Sequence, residues 1–316
     1  MNENKVLEIL DESTKELFEN LLDPIRDQAI GKNTFEYVIR NYLNKIDELK
    51  STSNLFLPVA DKIEKENKDK IEKYREEIIA ENLKEYIDPT TNDIHEDYLG
   101  AFIYDFFKKY EKVQRNIKIN QKNILINSLF YTIFSIFDAF IGDLLHYIYK
   151  NKPELSNSIQ KTFKLEEINC FNDITEIKEY IIDKEIEQLK RESYFEQFKI
   201  LENKFDIKLS KFSNWAKFIE ITQRRNILMH CNGVVSNQYL TLCNSVGYNT
   251  LELKPKDILE ISQDYLNEAI NIFKEVIFKL GQTLWRKIFP NEINEANDFL
   301  LDIMLKVFQM KIITSL

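Results

Sequence analysis

The residues best suited to chemistry in this chain lie close together at Arg224, Arg225, Asn226 and His230. His230 is one of only 3 histidines among 316 residues. An imidazole exchanges protons near neutral pH, and a guanidinium can hold two oxygens of a phosphate. These groups suit cleavage of RNA without a metal ion, because the ribose 2′-hydroxyl must lose a proton and the leaving 5′-oxygen must gain one.

The spacing of these residues on a helix determines which side chains can act together. Asn226 and His230 are four positions apart and share one helix face. Arg225 and His230 are five positions apart, about 140° around the helix, so Arg225 borders that face and its long side chain can reach a shared phosphate. The C-terminal end of a helix favours a protonated imidazole. The cleavage requires two proton transfers, and the motif supplies one histidine. Two chains related by a twofold axis would supply two histidines.

The helix that must position these residues is predicted from its flanking signals. Ser213-Asn214-Trp215 predicts an N-terminal cap, and Asn232-Gly233 predicts a C-terminal stop just beyond His230. Before it, residues 116–150 are the most apolar part of the chain and predict a helix at the centre of a bundle. A membrane span is the less favoured alternative, because the apolar stretch is short and contains Asp138 and Asp143.

The rest of the chain also shows mainly helical patterns. Gly and Pro are scarce, at 6 each, which favours a helical fold. Helices are predicted over residues 6–21, 35–49, 61–86, 96–113, 174–190, 192–205, 258–289 and 293–311, with a break at 51–54 and a turn at 88–93. Residues 233–253 have β-branched and aromatic content that predicts a loop with short extended pieces.

Composition and charge restrict the classes of function. Cys170, Cys231 and Cys243 have no spacing that suits zinc or a disulfide framework, and no apolar leader follows Met1, so we expect a reduced, cytoplasmic protein. The net charge of −9 argues against a protein that coats nucleic acid. Residues 199–225, however, hold seven basic and three acidic side chains, which is compatible with a local phosphate-binding face.

The segment Arg225–His230 reads R-N-x-x-x-H, and this resembles the signature of the HEPN ribonuclease superfamily. Its context is similar too, with an apolar helix broken by polar residues at 137–143 before the motif and a helix containing Leu284-Trp285-Arg286 after it. The resemblance covers about residues 116–289. It implies an all-α, HEPN-like helical bundle (116–289) with an additional N-terminal helical region (1–115), regulatory or sensing in role, and a C-terminal helical extension (290–316).

The resemblance also implies a function. It predicts a metal-independent endoribonuclease without a cofactor, in which Arg225 and His230 are catalytic and Asn226 supports them. Two chains would form a homodimer with one composite cleft, cutting single-stranded RNA or a tRNA loop. Antiphage defence (abortive infection) or a regulated toxin is the implied setting, with an antitoxin or a phage-derived trigger as a further partner and no membrane.

Further residues are assigned to the site by charge and position. Arg224, Lys217 and Lys211 are expected to bind RNA, and Arg224 also fits the family's looser spacing between arginine and histidine. Asp138 is expected to support the cleft as a carboxylate behind the motif, although a buried aspartate that caps a neighbouring helix is an equal alternative.

Alternatives from other functional classes remain open on the sequence. A capped surface helix ending in charged residues and a histidine needs no catalytic role. A HEPN-like bundle that binds RNA, nucleotides or a partner without cutting is the main rival. A helical scaffold whose dimer interface is the function is the third.

Overall fold

The computed structural model describes residues 34–86, 99–116, 121–156 and 170–292. Within these ranges there are nine α-helices, one 3₁₀ turn at Pro290–Glu292 and one isolated bridge between Val234 and Ile258. The helices are α1 (Phe35–Tyr86), α2 (Leu99–Asn116), α3 (Gln121–Asn151), α4 (Pro153–Ser156), α5 (Ile174–Arg191), α6 (Tyr194–Phe205), α7 (Trp215–Cys231), α8 (Asn237–Ser245) and α9 (Gln263–Ile288). The predicted all-α fold is confirmed.

Helix α1 is longer than the sequence predicted. It continues through residues 51–54, where a break was expected, and through Pro58 to its end at Tyr86. Ser53 is fully buried within it. A proline removes one backbone hydrogen bond, which a helix this long can lose without ending. The second half of α1 is the Lys- and Glu-rich segment, where Glu64 and Lys68 pair at 3.1 Å as their spacing indicates.

Helix α8 replaces extended structure that the sequence predicted. The β-branched and aromatic residues near 239–243 lie in a helix, because the Ser236 hydroxyl accepts a hydrogen bond from the Tyr239 N–H at 3.1 Å and caps its first turn. Tyr239 and Cys243, four positions apart, form the buried face of this helix. The predictions for residues 6–21, 88–93 and 293–311 lie outside the described residues.

The described chain divides into two compact units. The motif unit comprises residues 34–48, 131–156, 170–260 and 267–292, and the second unit comprises residues 49–86, 99–116, 121–130 and 261–266. The motif unit therefore contains all of α7 and the first residues of α1. The predicted boundaries 1–115, 116–289 and 290–316 remain predictions.

An aromatic cluster forms the core of the motif unit. It joins α3, α6, α7 and α9 through the buried rings of Phe134, Phe137, Phe198, Phe218 and Phe273. Phe137 and Phe273 have ring centroids 5.2 Å apart, and Phe198 and Phe218 are 5.1 Å apart. Offset and edge-to-face aromatic pairs of this kind are worth about 0.5–1.5 kcal/mol each beyond the area they bury. The cluster fixes α7 against α3.

The start of α1 belongs to the same core. Phe35 is fully buried, with its ring centroid 5.4 Å from that of Tyr147 and 5.3 Å from that of Phe289. Ile39 packs on Gly281 of α9, where a Cβ atom would come within 2.7 Å of the Ile39 side chain. Glycine therefore permits a close approach of these two helices.

Helix α3 is long and apolar enough to cross a membrane by length and composition alone, and among the described helices it is the one that meets this criterion. In the motif unit its apolar side chains are buried, among them Ile133, Phe137, Phe140 and Leu144. This burial is what the sequence predicted for a central bundle helix. In the second unit, Lys122 of α3 pairs with Asp61 of α1 at 2.6 Å.

Candidate functional site

Helix α7, which holds the motif, begins and ends where the sequence predicted. At its start the Asn214 side chain makes no capping hydrogen bond, and its amide donates to the Glu275 carboxylate of α9. At its end Asn232 (φ 50°) and Gly233 (φ 79°) adopt left-handed conformations. The Gly233 N–H donates to the Ile227 carbonyl at 3.0 Å, so the helix stops within two residues of His230.

Arg225 lies on α3. Its guanidinium carbon is 5.8 Å from the centroid of the Phe134 ring, and its Nη1 donates to Oδ1 of the adjacent Asn226 at 3.1 Å. Tyr131 and Asp138 lie three residues before and four residues after Phe134, so both flank this contact on one face of α3. The Phe134 ring and the Asn226 amide are neutral, and the charge of Arg225 also acts on the Asp138 carboxyl.

The Asp138 carboxylate is tied to Tyr194, the first residue of α6. The Tyr194 hydroxyl donates to Oδ1 of Asp138 at 2.7 Å. Burial raises the pKa of the Asp138 carboxyl, while this hydrogen bond and the charges of Lys190 and Arg225 oppose the rise. Asp138 thus supplies a partly buried carboxyl group whose charge interacts with that of Arg225; its role behind the motif stays a prediction.

Arg224 points to a different set of partners from its neighbour. Its Nε donates to Oε1 of Glu220 at 2.7 Å, and its Nη1 donates to the Glu260 carbonyl at 3.4 Å. Glu220 has no exposed surface and also accepts a hydrogen bond from the Tyr239 hydroxyl at 2.8 Å. Consecutive helix residues are rotated by about 100°, which places the two arginines on different faces. Arg224 therefore stabilises the packing of α8 and the following loop on α7.

The two lysines expected to bind RNA are in different situations. Lys217 Nζ lies 3.5 Å from Oε2 of Glu220 and 2.9 Å from Oε2 of Glu268. Burial disfavours its charge, but these carboxylates raise the pKa of Lys217 overall. Lys217 therefore belongs with Arg224 in the Glu220 network. Lys211 is exposed in the segment before α7.

His230 and its neighbours form the exposed end of α7. His230 and Cys231 are exposed, and Met229 is 50% exposed. Asn226, one turn earlier, is half-buried, and its side-chain oxygen accepts a hydrogen bond from Arg225. The imidazole is thus reachable by a substrate or by a second chain.

The structure brings some of the predicted site residues together and separates others. Arg225, Asn226 and Asp138 form one cluster at the contact between α7 and α3, with His230 one turn further along α7. Arg224 and Lys217 lie in the Glu220 network. A phosphate at the first cluster would meet a guanidinium held between an aromatic ring and an amide.

Several residues of this arrangement were not found from the sequence. Phe134, Tyr131 and Tyr194 come to Arg225 and Asp138 through packing between helices, and no local spacing predicts such contacts. Glu220 had a local signal, because it precedes Arg224 by four positions in the order that favours an ion pair.

The remaining side chains suited to chemistry are potential metal ligands and the other two histidines. Across the described ranges, His, Cys, Asp and Glu form no group of three that could hold a metal ion. His146 of α3 has its Nε2 3.0 Å from Oδ1 of Asp183. His95 lies outside the described residues.

Comparison of the chain with protein-family models, with curated proteins and with solved structures gives no match. The HEPN resemblance consequently rests on residues 225–230 and their helical surroundings.

Proposed function

We propose that this protein is a metal-independent endoribonuclease whose site is centred on Arg225 and His230. The observation that carries the proposal is the placement of the Arg225 guanidinium. It contacts the Phe134 ring and the Asn226 amide and forms no ion pair with another described residue. The guanidinium of an arginine held in this way can bind an anion, whereas the guanidinium of its neighbour Arg224 is paired with the Glu220 carboxylate.

The proposed reaction is an internal transfer at phosphorus. Arg225 holds the scissile phosphate, one imidazole takes the proton of the ribose 2′-hydroxyl, and the 2′-oxygen bonds to phosphorus. The bond from phosphorus to the 5′-oxygen breaks, and an imidazolium gives that oxygen its proton. The products are a 2′,3′-cyclic phosphate and a 5′-hydroxyl, and no oxidant, metal or cofactor takes part.

Two proton transfers favour a site built from two chains. His230 lies at the exposed end of α7, next to the half-exposed Met229. A twofold axis near this end would bring two copies of His230 to one phosphate, with one as base and the other as acid. By the HEPN resemblance, such a homodimer acts on single-stranded RNA or a tRNA loop in antiphage defence or as a toxin restrained by an antitoxin.

The direct test examines the products of cleavage. Purified protein is incubated with labelled total RNA and tRNA in EDTA, and the ends of the fragments are identified. We expect cleavage in EDTA, cyclic phosphate ends, and resistance of a substrate with a 2′-deoxyribose at the cut position. Cleavage that requires a divalent metal, or that leaves 5′-phosphate ends, would contradict the mechanism. Binding of RNA without any cleavage would favour the non-catalytic RNA-binding alternative.

A further inference from the structure

A tight turn close to the end of α7 has no role in the reaction described above. It comprises residues 254–257, and the Asp257 N–H donates to the Lys254 carbonyl at 3.1 Å. Pro255, the second residue of the turn, has a negative φ fixed by its ring, and Lys256, the third, has a φ of 80°. This combination defines a type II turn, which favours glycine at its third residue. The chain has a lysine at that position.

Backbone contacts hold this turn against the segment that follows α7. The Lys256 N–H donates to the Val235 carbonyl at 2.9 Å, and the Val235 N–H donates to the Asp257 carbonyl at 2.8 Å. The Leu259 N–H donates to the Gly233 carbonyl at 2.9 Å, and a Cβ atom on Gly233 would collide with the Leu259 carbonyl oxygen. Because Gly233 belongs to the C-terminal stop of α7, these contacts fix the turn beside the exposed end of that helix.

The backbone conformation of Lys256 is unfavourable for a residue with a side chain. In the left-handed region the Cβ atom crowds the neighbouring backbone, and residues held in such conformations recur at ligand sites. A glycine at this position would remove the crowding and keep the backbone hydrogen bonds of the turn. The stability of the turn therefore does not account for the Lys256 side chain, which is exposed.

The charges of the turn favour contact with an anion at its tip. The Asp257 carboxylate accepts a hydrogen bond from the Lys254 N–H at 2.7 Å, which directs it to the backbone of the turn. The side chains of Lys254 and Lys256 are exposed, and the exposed Glu252 and Glu260 lie outside the turn on either side. A single strand of RNA carries one negative charge per nucleotide, so an ammonium at the tip can pair with one phosphate.

We propose that Lys256 binds a phosphate of the bound RNA outside the scissile position, so that the strand passes the exposed end of α7. This inference rests on the proposed function, because it assigns a further contact to that substrate. Since backbone hydrogen bonds already fix the turn, binding requires no ordering of a loop. The contact acts on RNA affinity and leaves the chemical step to Arg225 and His230.

The test compares two replacements of Lys256 in the full chain. Lys256→Gly removes both the charge and the backbone strain, whereas Lys256→Arg keeps both. The matched control is Lys178→Ala, which removes an exposed positive charge from α5 in the same unit. Binding is measured with a single-stranded RNA that carries a 2′-O-methyl group on every ribose, because the proposed reaction cannot cleave RNA without a free 2′-hydroxyl.

We expect Lys256→Gly to bind this RNA about twofold to fivefold more weakly at low salt, as for an exposed ion pair. The slope of log affinity against log salt concentration should fall by about 0.7, the contribution of one phosphate in a single strand. The thermal midpoint should equal or exceed that of the wild type, because glycine accepts the left-handed conformation. Lys256→Arg and Lys178→Ala should bind like the wild type.

Other outcomes separate this inference from the proposed function. Wild-type affinity and salt slope in Lys256→Gly, with RNA cleavage by the wild type intact, would overturn the role of Lys256 alone. A lower thermal midpoint for Lys256→Gly would show that the lysine stabilises the fold and would overturn the argument from strain. Equal weakening by Lys178→Ala would assign the effect to net charge and overturn a specific contact. Wild-type protein that neither binds nor cuts RNA would overturn both proposals.

Discussion

Arg224 and Arg225 follow each other in helix α7, and their guanidinium groups lie in different surroundings. Arg224 donates to the buried Glu220 carboxylate at 2.7 Å, while Arg225 rests 5.8 Å from the Phe134 ring centroid and donates to an amide oxygen. Replacing either arginine with a neutral residue removes one positive charge from the same stretch of helix. Comparing the two substitutions therefore distinguishes the charge of Arg224, which stabilises the fold, from the charge of Arg225, which we propose binds a ligand.

Replacing Arg224 with methionine should mainly lower stability, whereas replacing Arg225 with methionine should mainly lower RNA cleavage. Arg224→Met leaves the Glu220 carboxylate buried without its nearest cation, and we expect a loss of about 3 kcal/mol in the free energy of unfolding, at the low end for a broken buried pair because Lys217 remains. Arg225→Met should cost less than about 1 kcal/mol and abolish RNA cleavage. Urea denaturation and RNA cleavage assays measure both. Equal destabilisation by the two substitutions would refute this division of roles.

The pH dependence of stability reports on Asp138. Burial raises the folded-state pKa of its carboxyl, so the ionised form is less favourable in the folded protein than in the unfolded chain. Below the unfolded-state pKa of about 3.9 both states are protonated, and the penalty appears as the pH rises through the folded-state pKa. Asp138→Asn keeps an acceptor for Tyr194 and removes the charge.

We therefore expect Asp138→Asn to be more stable than the wild type near pH 7, by a margin that shrinks toward about pH 4. Chemical denaturation across this range measures the margin. A margin that is constant with pH, or that grows on acidification, would show that the charge of Asp138 is stabilising. The same variant separates stability from function, since its RNA cleavage can be followed at each pH.

The beginning of α1 should be essential to the motif unit. Phe35 is fully buried between Tyr147 and Phe289, although it lies 190 positions before Arg225 in the chain. We expect Phe35→Ala to cost about 3–5 kcal/mol, as for other fully buried phenylalanines. Phe56→Ala, at a side chain in α1 that is 49% exposed, is the matched control and should cost much less. Similar thermal midpoints for the two variants would contradict this packing.

The cysteines provide a test of the composite site. Cys170 and Cys231 are exposed, whereas Cys243 is fully buried and burial raises its pKa to about 12. A thiol reagent should therefore modify two cysteines rapidly and the third only after unfolding. In a Cys170→Ser variant, a short bismaleimide should join two chains through Cys231, because this residue follows His230.

The outcome of that crosslinking bears on the dimer and not on the chemistry. A covalent dimer that disappears in Cys231→Ser would place the two ends of α7 next to each other in solution. Monomeric protein at concentrations that support cleavage would contradict a site shared by two chains.

The sequence predicted elements with strong local signals and missed those decided by packing. Helix α7 was located because Asn232-Gly233 has the conformational freedom that a helix stop requires, and α3 because its apolar residues recur on several faces. Helix α8 was missed, since Tyr239 and Cys243 have spacing that fits a helix but composition that favours a strand. The contact of Arg225 with Phe134 joins residues 91 positions apart, and no local pattern reports it.

The most direct measurement of the central claim compares two histidine variants. His230→Ala removes the exposed imidazole beside the motif, and His146→Ala removes an imidazole paired with Asp183 on the surface between α3 and α5. Both are assayed with labelled RNA in EDTA, together with their thermal midpoints. We expect His230→Ala to lose cleavage by at least about a hundredfold at an unchanged midpoint, and His146→Ala to cleave like the wild type. Cleavage by His230→Ala at the wild-type rate would contradict the proposed ribonuclease site.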